Sequence, residues 1–169
     1  MSLRSSGILL HPTSLPSPFG IGDLGAEARA FVDFLHDAAQ TIWQTLPLGP
    51  SGFGNSPYQA LSAFAGNPLL IDPRQLIEDG WLDQSVINGA HFSAGRVKFE
   101  IVRDFKERVL HHAFHHFKRS PLSNYNGFEE FCDHSSWWLT DYATFRALKD
   151  MNGGSSWTDW HRELAQRDP

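Results

Sequence analysis

Two short apolar segments separated by one helix-length segment constrain the fold of this chain more than any other feature. Residues 7–11 (GILLH) and 41–48 (TIWQTLPL) are apolar runs of the kind that form buried strands. Residues 26–40 place apolar side chains at helical spacing, and Glu27 lies in the first turn, where the helix dipole favours a negative charge. A strand, a helix and a second strand in this order predict a right-handed parallel βαβ unit.

The rest of the chain is predicted to be mostly helical. Residues 69–71 suggest a short extended piece, and residues 73–79 a turn or two of helix. A long amphipathic helix is predicted over 96–117 and a second long helix over 127–150, whereas the polar tail 157–169 predicts no further element. The apolar stripes are Ile101, Phe105, Val109, Ala113 and Phe117 in the first helix, and Phe128, Phe131, Trp138, Tyr142 and Phe145 in the second.

This set of elements is unbalanced for a protein that folds alone. Two parallel strands leave two open edges and need cover on both faces. No segment after Asp72 predicts a convincing third strand. We therefore expect an α/β chain that is the truncated opening piece of a larger protein. Residues 1–72 would begin a barrel, and residues 73–169 would form a helical insertion.

The composition argues against several classes of protein. A hydrophobic content of 41% is enough for a folded core, and a net charge of −5 without a dense basic stripe disfavours a nucleic-acid-binding surface. The apolar run 7–10 is too short for a signal peptide or a membrane span. Cys132 is the only cysteine, so a reducing compartment is favoured. We expect a soluble, cytoplasmic protein that binds neither nucleic acid nor membranes.

A glycine-rich motif raises an alternative function. Residues 20–25 (GIGDLG) match the dinucleotide-binding fingerprint and lie between a predicted strand and a predicted helix, as in a nucleotide-dependent oxidoreductase. Nine residues with three prolines separate Leu10 from Gly20, however, whereas the fingerprint begins almost at the end of the strand. The second strand also ends without an acidic residue to hold a ribose. The nucleotide hypothesis is therefore weak, and no cofactor is predicted.

Other chemically reactive residues have simpler explanations. The histidines at 111, 112, 115 and 116 form two i, i+4 pairs, which is the spacing of metal ligands. No carboxylate or cysteine completes a ligand set within that helix, so we predict no metal site. Cys132 and the tryptophans at 137, 138, 157 and 160 are more typical of packing than of a cofactor site. Asp33 and Asp37 are expected to face solvent on the first helix, and we assign no chemistry to Asp23.

The loops that follow the two predicted strands carry the strongest functional signal. Because the carboxyl ends of parallel strands meet at one edge of a sheet, residues 11–15 and 49–59 are expected at the edge where α/β folds build their sites. A tyrosine ring suits the apolar face of a sugar, while hydroxyl and amide groups suit its hydroxyls. The second loop combines these groups in Asn55, Ser56, Tyr58 and Gln59.

Five segments between residues 7 and 72 carry a family resemblance. They are residues 7–16 (GILLHPTSLP), 20–25 (GIGDLG), 43–50 (WQTLPLGP), 55–59 (NSPYQ) and 62–68 (SAFAGNP). In this order and spacing they resemble the N-terminal third of the 4-α-glucanotransferases, the amylomaltases or disproportionating enzymes. Beyond residue 80 the resemblance is looser, although residues 137–143 and 153–157 also fit.

The resemblance implies a much longer (β/α)8 barrel, a TIM barrel, interrupted by helical insertions. It also implies an enzyme that cuts α-1,4-glucans and passes the glycosyl piece to another sugar with retention of configuration. In such chemistry one carboxylate forms a glycosyl-enzyme, and a carboxylic acid assists departure and then activates the acceptor. The family's catalytic acids come from later barrel strands. The resemblance therefore places no catalytic residue in this chain and implies that the chain alone is inactive.

The same resemblance implies a substrate-binding role for the second loop. Tyr58 matches the ring that packs against the sugar next to the scissile bond, and Ser56 matches a hydroxyl contact to the donor glucan. Phe53 occupies the place of an aromatic residue that belongs to a second glucan site in some relatives, where tyrosine is the familiar residue. Gln59 completes the predicted substrate-binding set. The implied partners are α-1,4-glucans, maltooligosaccharides and the remainder of the same polypeptide.

A second class of function stays open. A stand-alone, non-catalytic carbohydrate-binding module, or a remnant of the enzyme, would carry the same loops and would bind maltooligosaccharides without turnover. In both cases His11 and Asn67 are expected to organise loops rather than to contact sugar.

Overall fold

The computed structural model describes residues 4–120 and 126–167. The chain divides into two compact units, Met1–Pro121 and Leu122–Pro169. Within the described ranges, no helix has both the length and the apolar composition needed to cross a membrane. The barrel boundary predicted near residue 72 is not tested by this division and stays a prediction.

The predicted parallel strand pair is present in the first unit. Strand β1 (Gly7–Leu9) pairs in parallel with strand β2 (Ile42–Gln44), and Ile8 lies opposite Trp43. The Trp43 indole Nε1–H donates a hydrogen bond of 2.7 Å to the carbonyl of Leu10. This side-chain bond ties the end of β1 to its neighbour just where the regular ladder stops.

Both strands are shorter than the predicted segments 7–11 and 41–48. After β1 the chain enters a 3-10 turn at Pro12–Ser14. After β2 the chain soon reaches Pro47, which has no N–H to donate to a ladder. Prolines close behind each strand therefore restrict the ladder and send the chain into the loops that follow.

Helix α1 (Ala26–Asp37) begins where it was predicted and packs on the strand pair. The ring of Phe31 meets Trp43 edge-on, with 5.0 Å between the ring centroids. The helix ends three residues before the predicted residue 40, because Ala39 adopts a left-handed backbone conformation with φ of 53°. A left-handed residue directly after the last turn is a common way for a helix to end.

The segment before helix α2 (Pro73–Glu78) differs from the prediction. Residues 69–71 were expected to be extended, but the chain forms a 3-10 turn at Pro68–Leu70. The side chain of Asn67 accepts a hydrogen bond of 3.0 Å from the backbone N–H of Leu69, which caps that turn. The predicted helical turn over 73–79 is confirmed by α2.

Helix α3 (Phe99–Arg119) confirms the long helix predicted over 96–117, with a later start. Three members of the predicted stripe, Phe105, Val109 and Ala113, are buried. Ile101 is half exposed, however, and Val102 is fully buried in its place. In a helix of 3.6 residues per turn, each step of four residues moves the side chain about 40° around the helix axis. A stripe predicted at every fourth residue therefore drifts away from the buried face.

Two apolar clusters join α3 to the segment between β1 and α1. In the first cluster the ring of Phe19 stacks on Phe105 with centroids 5.6 Å apart. Its buried members are Phe19, Leu82, Phe105 and Val109, and those of the second are Ile21, Leu69 and Val102. The first long helix of the predicted insertion, α3, therefore packs directly on the loop that follows the first strand.

A buried ion pair lies on the same face of α3. The Nζ atom of Lys106 is 3.3 Å from Oδ2 of Asp23, and the two side chains are 1% and 0% exposed. Lys106 also donates to the carbonyl of Ile71, and Asp23 accepts a bond of 3.1 Å from the N–H of Gly25. Burial raises the pKa of Asp23 and lowers the pKa of Lys106, because the interior disfavours both charged forms. The attraction between the two charges opposes both shifts.

A second carboxylate, Asp72, extends this network to α1 and α2. Its Oδ1 accepts a bond of 2.9 Å from the backbone N–H of Arg74 and so caps α2. The Arg74 guanidinium lies 2.8 Å from Asp72 Oδ2 and 3.0 Å from Oε1 of Glu27 in α1. Burial alone would raise the pKa of Asp72, but its bonds from Arg74 bring that pKa below its usual value. The bonds from Arg74 likewise lower the pKa of Glu27.

Two glycines of the segment 20–25 are required by close contacts. A Cβ atom on Gly25 would lie 1.9 Å from Oδ2 of Asp72, and one on Gly22 would lie 2.1 Å from the carbonyl oxygen of Pro12. Both distances are far inside van der Waals contact. The glycines therefore let the backbone approach the Asp72 network and the turn after β1.

The second unit contains helix α4 (Asn126–Met151) and the short helix α5 (Arg162–Gln166). The predicted helix over 127–150 is confirmed to within one residue at each end. The glycines at 153 and 154 that follow α4 both have positive φ values, which suits the end of a helix. The prediction that the tail 157–169 holds no further element is wrong, because α5 is too short to show an apolar period in the sequence.

Replacing Asp23 by Asn is expected to destabilise the chain by about 3–5 kcal/mol, because the ammonium of Lys106 would stay buried without a counter-charge. The double variant Asp23→Asn with Lys106→Met should lose less than the sum of the two single changes, since both charges are removed together. Denaturant unfolding of the 169-residue chain measures these losses. Asp33→Asn, an exposed carboxylate on α1, is the control and should change stability by less than about 0.5 kcal/mol. Strictly additive losses would contradict the coupling.

Replacing Gly25 by Ala is expected to cost about 1–3 kcal/mol, because the new methyl group collides with the Asp72 carboxylate. Gly66→Ala is the matched control, since a Cβ there meets nothing within 4 Å. Thermal unfolding of both variants gives the comparison. Equal melting temperatures for the two variants would show that the space beside Gly25 is not limiting.

Candidate functional site

His11 joins the two loops that leave the carboxyl ends of β1 and β2. Its Nε2 is 3.3 Å from the carbonyl of Pro47, while Nδ1 is 2.7 Å from Oγ1 of Thr13 and accepts from the N–H of Thr13. Because a carbonyl oxygen only accepts, Nε2 carries the proton and Nδ1 is the acceptor. These contacts confirm that His11 organises loops, and the cap that Asn67 gives to Pro68–Leu70 confirms the same for Asn67.

A cavity of about 180 Å³ opens at this edge of the sheet. It is bounded by side chains of both strand-end loops and of the first turn of α3. Among its lining residues are His11, Thr13, Pro47, Ser51, Asn55 and Phe99. The loop after β2 therefore borders a small cavity with mixed polar and apolar walls.

The loop at residues 51–60 is held largely by its own backbone. An antiparallel bridge closes its base, and the N–H of Gly52 donates a bond of 2.8 Å to the carbonyl of Gln59. Two 3-10 turns, Phe53–Asn55 and Pro57–Gln59, fill the space between. The loop is thus a compact hairpin that projects from the strand end.

All four predicted substrate-binding residues lie on this hairpin. The rings of Phe53 and Tyr58 are 88% and 73% exposed, and Gln59 is exposed as well. Ser56 Oγ accepts a bond of 3.3 Å from the N–H of Tyr58 and so caps the second turn. A hydroxyl also has one hydrogen to donate, so Ser56 can make a further bond to a ligand.

Sequence reasoning missed one residue that contacts this hairpin. The guanidinium of Arg103, in α3, donates to the side-chain oxygen of Asn55. Arg103 lies next to the fully buried Val102 and three residues before Lys106 on the same helix. Its position beside the buried stripe is the only sequence signal, and that signal does not name a partner.

The glycine segment that matches the dinucleotide fingerprint lies against buried carboxylates. The Asp72 carboxylate fills the space beside Gly25, the residue directly before α1. Within the described residues, the three acidic groups whose oxygens lie within 4.8 Å of one another are Asp23, Glu27 and Asp72. Lys106 pairs with Asp23, and Arg74 pairs with Asp72 and Glu27. Asp23, to which the sequence assigned no chemistry, is the most buried of the three acids.

The remaining residues singled out from the sequence belong to elements other than the hairpin. The four histidines between residues 111 and 116 are exposed on α3, and Cys132 is half-buried in α4. In the second unit, a pocket of about 790 Å³ is lined partly by Phe145, Trp157 and Trp160. Trp160 is buried, as expected of a packing residue, and its indole N–H has no partner among the residues described.

Comparisons with known proteins agree on one family. The family model of the 4-alpha-glucanotransferases matches residues 10–169. The chain is 50% identical to the 4-alpha-glucanotransferase of Synechocystis and 46% identical to that of Thermus thermophilus, in each case over 98% of this chain and 33% of the relative. A solved amylomaltase from Streptococcus agalactiae, in complex with acarbose, matches with a TM-score of 0.91 and 36% identity, over 99% of this chain and 34% of that one.

These matches settle the fold class and the family. The chain spans about a third of the length of the relatives that it matches. The likeness to the amylomaltase confirms the predicted fold class, in which two parallel strands open a (β/α)8 barrel and a mostly helical part follows. The chain belongs to the 4-alpha-glucanotransferase family.

Proposed function

We propose that this chain is the N-terminal, glucan-holding part of a 4-α-glucanotransferase, which transfers a segment of an α-1,4-glucan to an acceptor sugar by a retaining mechanism. Residues 1–72 begin the catalytic barrel, and residues 73–169 form its helical insertion. The catalytic carboxylates are supplied by the rest of the enzyme. Family membership supports the reaction, and the hairpin at the strand end supports the binding role.

The observation that carries the binding role is the exposure of two rings on a compact hairpin. Phe53 and Tyr58 remain mostly exposed although large rings are normally packed. The hydroxyl of Ser56 and the amide of Gln59 lie next to them in the sequence, so apolar surface and hydrogen-bonding groups occur together. This combination matches a sugar ring with its rim of hydroxyls. In this proposal Tyr58 and Phe53 stack on glucose units, while Ser56 and Gln59 bond to hydroxyls.

The charge distribution supports binding without catalysis. The hairpin contains no carboxyl group, and Tyr58 is its one titratable side chain. Glycosyl transfer with retention needs two carboxyl groups about 5–5.5 Å apart on either side of the scissile bond. The buried carboxylates Asp23 and Asp72 are engaged by Lys106 and Arg74. We infer that the chain alone holds glucans and does not turn them over.

The proposed partners follow from this role. They are α-1,4-glucans and maltooligosaccharides, together with the remainder of the same polypeptide. Nucleic acid and membranes are not among them, given the net charge of −5 and the uncharged hairpin. We also propose that the protein is located in the cytoplasm, because a single cysteine suits a reducing compartment.

Replacing Tyr58 by Ala is expected to weaken binding of maltoheptaose about tenfold or more, because a ring that anchors a ligand commonly contributes more than 1.4 kcal/mol. Isothermal titration calorimetry of the 169-residue chain measures the affinity. A parallel assay for glucose release and chain transfer should find no turnover.

Phe114→Ala is the matched control, because this half-exposed phenylalanine lies on α3, outside the hairpin. It should leave the affinity unchanged. Equal affinity in wild type and Tyr58→Ala would remove Tyr58 from the site. Turnover by the chain alone would contradict the assignment of the catalytic acids to the rest of the enzyme.

A further inference from the structure

One hydrogen bond from another element reaches the hairpin. Among the described residues, the hydrogen bonds made by residues 51–59 stay inside the hairpin, except for the bond from Arg103 to Asn55. Arg103 is half-buried and projects from α3, which is fixed nearby by the ion pair of Lys106. The guanidinium therefore connects a rigid helix to a loop that stands over a cavity.

Asn55 lies in the middle of the hairpin, between the residues proposed to contact glucan. It follows Gly54, and both residues have left-handed backbone conformations, with φ of 58° and 65°. Asparagine tolerates this conformation better than most residues do. Asn55 also lies between Phe53 and Ser56, so a change in its backbone alters the spacing between an exposed ring and the polar groups that follow. A bond that holds Asn55 therefore helps to set the spacing between Phe53 and Ser56.

The chemistry of arginine decides which way the Asn55 amide faces. A guanidinium carries donors only, so it must meet the amide oxygen and not the amide nitrogen. The structure has this arrangement, with Oδ1 of Asn55 as the acceptor. The Nδ2 group must then point away from Arg103. An amide that would otherwise turn over freely presents its two donors in one direction.

We propose that Arg103 is a positioning residue of the glucan site, and that it holds Asn55 so that the Asn55 Nδ2 group donates a hydrogen bond to a glucan oxygen. The inference rests on the proposed function, because it assigns the ligand of Nδ2 to be a sugar oxygen. Arg103 itself does not contact the glucan. It acts by fixing the hairpin and by orienting one amide.

The two parts of this proposal are separated by two kinds of variant. Arg103→Ala removes the bond, so backbone amides of the hairpin, such as those of Gly52 and Gln59, should exchange hydrogen for deuterium about tenfold faster. The affinity for maltoheptaose should fall about fivefold to tenfold. Arg103→Lys keeps a positive donor and should restore most of the protection. Arg108→Ala, an exposed arginine on the same helix, is the control and should change neither measurement.

Asn55→Asp tests the donor role separately. A carboxylate accepts from Arg103 at least as well as an amide does, and aspartate also tolerates a left-handed backbone. Protection of the hairpin should therefore be kept. The amide donor is lost, so the affinity for maltoheptaose should fall about tenfold.

Each outcome decides one part of the inference. Unchanged exchange in Arg103→Ala would overturn the positioning role, because the hairpin would then hold its own shape. Full affinity in Asn55→Asp would overturn the donor role. Absence of any maltoheptaose binding by the wild-type chain would count against the proposed function and the donor role, while hydrogen exchange would still decide whether Arg103 fixes the hairpin.

Discussion

The ion pair between Lys106 and Asp23 is the interaction on which the first unit depends. A buried charge without its partner costs several kcal/mol, so losing either charge alone would weaken the packing of α3 on the segment after β1. The same contact has a consequence at the strand edge. Arg103 lies one turn before Lys106 on α3, and residues three apart lie close together on a helix surface. The ion pair therefore also sets where the guanidinium of Arg103 reaches Asn55.

Charged and uncharged side chains occupy different parts of the first unit. Asp23 and Asp72 are buried and pair with Lys106 and Arg74, and that network brings α1, α2 and α3 together. The hairpin carries no charged side chain and keeps its rings exposed. A neutral ligand with hydroxyl groups gains little from net charge and much from flat apolar surface and fixed hydrogen-bonding groups. The charged interior thus supports an uncharged surface suited to a sugar.

Sequence reasoning succeeded where local signals were strong. The extent of α4 follows from its apolar positions and from the glycines at 153 and 154. It failed at residues 69–71, where an apolar run resembled a strand although Asn67 and Pro68 are suited to starting a turn. It also chose Ile101 over Val102, because a stripe drawn in fours departs from the true helical period. The four residues of the hairpin were found through their place after a strand, but the contact from Arg103 was not.

The sequence by itself determined the strand–helix–strand order, the loops that follow the strands and the family, because these depend on local composition, periodicity and contiguous motifs. Only the tertiary structure decided which charged groups are buried and which polar groups meet. Lys106 and Asp23 are 83 residues apart, and Arg103 and Asn55 are 48 residues apart. No local pattern specifies such pairs. They form because packing of α3 on the segment after β1 brings these side chains together and excludes water from the Lys106–Asp23 pair.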